Sequence, residues 1–124
     1  MDINPLIDCG LLQVLDLATE QEQALYVEQS LFMDDGEAMS VAIAASRGLD
    51  LAIDDKQATN HTHRTFPRLK LWTTPEILKQ WAETASIPQK RLTEVIQLIE
   101  GRARYFPPRS HPEAKWWQAA KDCH

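Results

Sequence analysis

The sequence predicts an α/β fold: a short parallel sheet with helices on both faces. Three observations lead there. Short apolar runs at residues 11–17 (LLQVLDL), 49–53 (LDLAI) and 69–72 (LKLW) alternate with segments of helical period. Capping and breaking residues stand between the runs and the periodic segments. The chain has 124 residues, enough for one domain, residues 1–124, with its own core.

The run at 11–17 reads as a first strand. Thr19 then offers an N-cap with Glu22 three residues on, the spacing of a capping box, and Ala24, Val27 and Leu31 recur at helical spacing. A second helix opens near Asp34-Asp35-Gly36-Glu37. Its stripe is Ala38, Val41, Ala42 and Ala45, and Gly48 is its stop. The buried strand at 49–53 runs directly into Asp54-Asp55. A polar helix follows from Lys56 to about Arg64, and Pro67 breaks it. After the strand at 69–72, Thr74 and Pro75 suit the cap and first turn of a helix with Ile77, Leu78 and Trp81 inside. The next begins after Pro88, carries Leu92, Val95, Ile96 and Ile99, and stops at Gly101. Pro107, Pro108 and Pro112 interrupt the chain before a last helix around 113–120, which packs Trp116 or Trp117 onto the body.

Composition narrows the class. Hydrophobic residues make 44% and charged residues 25%, ordinary for a globular protein. No apolar run reaches a membrane span and no leader pattern opens the chain, so no membrane partner and a cytoplasmic location are expected. Cys9 and Cys123 form no C-x-x-C pair and read as reduced thiols. Net charge is −5, against bulk attraction to nucleic acid. Residues 1–55, however, hold twelve of the eighteen acids and one base, Arg47, while residues 56–124 hold twelve bases and six acids. An acidic centre beside a basic surface would give this pattern, and so would halves that neutralise each other on folding.

Two acidic pairs could carry chemistry. Asp34-Asp35 sit with Glu37 at a helix start, and Asp54-Asp55 sit at the carboxyl end of a strand, where open α/β sheets bind ligands. If Glu37, Asp54 and Asp55 converge, their mutual repulsion favours a hard cation, Mg²⁺ or Mn²⁺, able to activate water against a phosphodiester. The alternative is that the same residues cap helices and oppose their dipoles, with Asp34 and Glu37 as a capping box and Asp55 capping the next helix. Lys56, Arg64, Arg68 and Lys70 either track a phosphate backbone or form a solvated face. His61 and His63, two apart on a helix, point to different faces and read as surface residues. The four tryptophans read as core or interface anchors. No Gly-rich phosphate loop is present.

Asp35-Gly36-Glu37-Ala38, an alanine-rich helix and then Leu-Ala-Ile-Asp-Asp-Lys together resemble a branch of the PIN-domain nuclease family. That branch carries an acidic-Gly-Glu-Ala helix start and then a strand ending in Asp-Asp and a basic residue. LKLW with Thr73-Thr74 falls where it has a strand and a Gly-Thr turn, and residues 11–17 resemble the strand before its middle helices. The resemblance covers about residues 3–80 as a PIN-like core, leaving 81–124 as a C-terminal helical extension. It implies a Rossmann-like three-layer sandwich and metal-dependent cleavage of RNA, often as the toxin of a toxin–antitoxin pair. Glu37, Asp54 and Asp55 would then be catalytic acids, with Asp35 a further metal ligand.

Departures from the pattern bear on catalysis more than on fold. The strand and helix that open the family, each bearing a metal-binding acid, have no counterpart here, so the chain reads as an N-terminally truncated member. Thr59 stands near the place of a family Arg, and Thr73 replaces the first Gly of the turn. Loss of a central strand exposes backbone groups that need partners. Strand exchange in a homo-oligomer, a chain supplying the strand, or a rearranged sheet would satisfy them. Two functions follow: a PIN-like, nucleic-acid-associated protein with RNA or a cognate antitoxin as partner, active as a ribonuclease if its site is completed, or an inactive PIN fold serving oligomerisation or protein interaction. An antitoxin-like regulator is a third.

Overall fold

The computed structural model describes residues 2–122. Cys123, expected as a reduced thiol, lies outside them, and Cys9 is a free, exposed thiol. The chain is α/β, mostly helical, with one two-stranded parallel sheet among the described residues. In chain order the elements are α1 (Asn4–Asp8), α2 (Glu20–Gln29), α3 (Asp35–Arg47), β1 (Leu51–Ala52), α4 (Lys56–Thr65), β2 (Leu71–Trp72), α5 (Thr74–Thr84), α6 (Gln89–Leu98) with a π-helical turn (Ile99–Ala103), and α7 (Ala114–Asp122). Leu51 N–H donates to the Lys70 carbonyl at 2.9 Å and Ile53 N–H to the Trp72 carbonyl at 2.8 Å. The alternation of donors along β1 is that of a parallel pair joined through a helix, here α4. No described helix is long and apolar enough to cross a membrane.

The chain divides into two compact units. The first holds the residues up to Leu51 together with Asn60–Lys70. Here α2 packs on α3, whose Ala38, Val41, Ala42, Ile43 and Ala44 are buried. Small residues on α3 allow close helix approach. Asp34 accepts from Glu37 N–H at 2.8 Å to start this helix, and Gly48 ends it at φ 67°, a left-handed conformation that costs glycine little.

Residues 11–17 form no strand. They run as exposed, irregular chain, with Leu11 80% and Val14 70% exposed. A strand exists only through its neighbours, and no described strand pairs with this run. Helix α2 also turns the other way from the expected stripe. Val27 is 64% and Leu31 79% exposed, whereas Glu22 and Gln29 are buried.

The second unit holds Ala52–Thr59 and the residues from Leu71 onward. Its core is Leu78, Leu92, Ile96, Trp117 and Ala120, joining α5, α6 and α7, so Trp117 is the tryptophan that packs back. Thr73, one residue before the expected cap, starts α5 with a full capping box to Glu76. Helix α6 continues through Gly101 as a π-helical turn and ends at Arg104, φ 53°.

Candidate functional site

Of the acidic residues singled out above, Asp34, Asp54 and Asp55 accept from backbone amides. In the first unit, Asp34 caps α3, Asp35 opens its first turn in solvent, and Glu37 is half-buried at the third position. In the second unit, Asp55 accepts from Ala58 N–H at 2.8 Å at the start of α4. Asp54 reaches a different helix: Oδ1 accepts from Thr74 N–H at 2.8 Å and Oδ2 from Thr74 Oγ1–H at 2.6 Å. These adjacent carboxylates therefore begin two helices, Asp55 at α4 and Asp54 at α5. The Tyr105 hydroxyl also donates to Asp54. Burial pushes the Tyr105 phenol above its ordinary range, and the Asp54 charge and hydrogen bond push it the same way.

Beside that junction lies a network that sequence spacing did not suggest. Glu113 N–H donates to His111 Nδ1 at 2.9 Å. The proton of a neutral His111 is thereby assigned to Nε2, which donates to Thr73 Oγ1 at 2.8 Å. Thr73 Oγ1–H donates in turn to Glu76 Oε1 at 2.8 Å. A protonated Nε2 cannot take the threonine proton, so the histidine holds the start of α5 and does not activate a nucleophile. Lys79 closes the network on Glu113 at 3.0 Å.

The four expected phosphate-tracking bases are all exposed. Lys56 opens α4 within the second unit. In the first unit, Arg64 ends α4, while Arg68 and Lys70 line a groove of about 410 Å³ with Asp50, Phe66 and Leu49. His61 and His63 do not act as a pair. His61 Nε2 lies 3.0 Å from Gln29 Oε1, and the Phe32 ring stacks on the imidazole at 4.2 Å.

The strongest charged contact of the first unit joins Glu22 to Arg47. Arg47 Nε lies 2.8 Å from Glu22 Oε2 and Nη2 3.1 Å from Oε1, and Nη2 also donates to the Asp16 carbonyl at 2.7 Å. Glu22 further accepts from Ala18 N–H at 2.8 Å. The guanidinium hydrogen bond, then the Ala18 amide, hold the carboxyl down at a pKa of about 2. A signal for this pair was present in the sequence, because Arg47 is the one base among the first 55 residues.

Apolar side chains supply the other feature of this unit. Leu11, Val14, Val27, Leu31 and Phe32 are each more than half exposed. A groove of about 300 Å³ separates Gln13 and Leu15 from Leu49 and Leu51 at the start of β1.

Among the described residues, no group of three or more His, Cys, Asp or Glu side chains is gathered as a metal ion requires. Comparison with family models, with curated proteins and with solved structures gives no match to this chain.

Proposed function

We propose that this chain is a protein-interaction module of PIN-like Rossmann type, in which Asp54 and Asp55 of the family's site serve at helix starts. The order α3–β1–α4–β2–α5 with parallel strands supports the PIN-like part. The observation that carries the interaction reading is the exposed run of residues 11–17. Leu11 and Val14 are held in solvent, and Gln13 and Leu15 of the same run line a groove with Leu49 and Leu51 at the start of β1. An apolar chain facing an open strand edge is suited to receive an extended segment.

Charge selects the partner. Asp2, Asp8, Asp16, Glu20, Glu28, Asp34 and Asp35 are exposed, and Arg47, the one base of this stretch, is occupied by Glu22. A segment alternating apolar and basic residues complements that surface, whereas the same stretch of a second copy repels it. The test is fluorescence anisotropy of a labelled peptide of alternating Val and Lys, with wild type and a Leu11→Asp, Val14→Asp variant. Saturable binding lost in a variant with unchanged circular dichroism is expected. Equal binding by the variant, or none by wild type, would sink the reading.

A second reading rests on Asp54 and Asp55, exposed at the carboxyl end of β1, where α/β proteins place ligands. It is Mg²⁺- or Mn²⁺-dependent cleavage of RNA, with the site completed by a homo-oligomer or partner chain. Metal-dependent cleavage that disappears in a Glu37→Ala, Asp54→Ala variant would favour it over the module.

A further inference from the structure

The second unit carries a surface that the interaction reading does not use. Helix α7 and the loop before it border a groove of about 370 Å³ whose lining includes Glu100, Phe106, Arg109, Lys115, Trp117 and Lys121. We propose that this groove binds single-stranded nucleic acid, stacking a base on Phe106 and placing the phosphodiester backbone along Arg109 and Lys115.

Phe106 is 61% exposed, yet the residue before it is anchored. The preceding Tyr105 sets its ring edge on Trp117, with centroids 5.9 Å apart at 74°, and donates its hydroxyl to Asp54. Trp117 is itself buried, and its Nε1–H donates to Glu100 Oε2 at 2.9 Å. An aromatic ring is therefore displayed to solvent from an anchored loop. Exposing Phe on a mobile chain would gain little stacking, because ordering it would offset the contact.

The charges around the ring favour a polyanion. Arg109 and Lys115 have no ion pair or hydrogen bond among the described residues. Glu100, the carboxylate lining the groove, is answered by Lys121 at 3.4 Å and by the Trp117 indole. Asp122 is taken up by Gln118 Nε2 at 2.8 Å. Lys115, Gln118 and Lys121 follow one another at three-residue steps, so they lie along one side of α7, spanning about 9 Å at 1.5 Å per residue. An aromatic platform beside available cations, here Arg109 and Lys115, is the arrangement that binds single strands without reading sequence. A free nucleotide fits less well: the groove is an open trough, and its affinity must come from several phosphates.

Fluorescence anisotropy of a labelled twelve-nucleotide oligouridine, at 50 mM salt, tests this. Binding with a dissociation constant on the order of 10 μM is expected. Phe106→Ala should weaken it roughly tenfold. Arg109→Gln with Lys115→Gln should reduce the slope of log K against log salt by about 1.4, the share of two phosphate contacts on a single strand. All three side chains are surface groups, and circular dichroism confirms that the variants fold. No binding, or binding that both variants leave unchanged, overturns the proposal. Displacement by uridine monophosphate at concentrations equal to the oligonucleotide overturns the strand assignment. The Val-Lys peptide binds a different unit, so failure of either proposal leaves the other standing.

Discussion

Arg47 grips both carboxylate oxygens of Glu22, from 25 residues away in the chain, at 2.8 and 3.1 Å. Glu22 is 3% exposed and would be a costly buried charge without that partner. The pair ties the first turn of α2 to the last turn of α3, and through the Asp16 carbonyl it also holds the chain entering α2.

The pair makes stability depend on acid. The Glu22 pKa is lowered from 4.5 to about 2, so its contribution is complete above the unfolded value and is lost as pH falls toward 2. Glu22→Gln should lower the melting temperature by several degrees at pH 7, and the gap to wild type should narrow between pH 4.5 and 2. Thermal melts followed by circular dichroism at stepped pH measure it. A gap that stays constant down to pH 2 would remove Glu22 as the cause.

Asp54 separates a cap from a metal ligand. As the acceptor for Thr74 and Tyr105, Asp54→Ala should cost about 1 kcal/mol in urea unfolding, the usual loss of a helix cap. Adding millimolar Mn²⁺ should leave the wild-type midpoint where it was. A midpoint that rises with Mn²⁺ in wild type but not in Asp54→Ala would assign the carboxylate to a cation.

Trp117 anchors the second unit, 2% exposed among Leu78, Leu92, Ile96 and Ala120. Trp117→Ala should cost about 3–5 kcal/mol, through lost burial and the cavity left behind. It also strands the Glu100 carboxylate, which loses the indole donor. Trp117→Phe keeps most of the volume and should cost clearly less. Equal losses for the two substitutions would place the effect on the hydrogen bond instead of the packing.

The helix boundaries were legible in the sequence because capping is settled within a few residues. Thr19, Asp34, Gly48, Pro75 and Pro88 each stand where a helix starts or stops. The one-residue shift from Thr74 to Thr73 at α5 followed from two competing hydroxyls. Thr73 took the capping box, and Thr74 was drawn to Asp54, twenty residues back. Of the acidic residues singled out in the sequence, the capping alternative was readable for Asp34 and Asp55, whose acceptor bonds span three residues.

What the sequence determined by itself is local: the start, stop and period signals of six helices, α2 to α7, and the apolar strand cores at Leu51 and Leu71. Tertiary structure decided which faces turn inward. Apolar spacing placed Val27 and Leu31 inside, but Glu22 and Gln29 are buried there instead, because Arg47 and His61 reach them from distant helices. It also decided that residues 11–17 are not a strand. A helix closes its hydrogen bonds within its own segment, whereas a strand and a buried charge both depend on a partner that period and spacing do not specify.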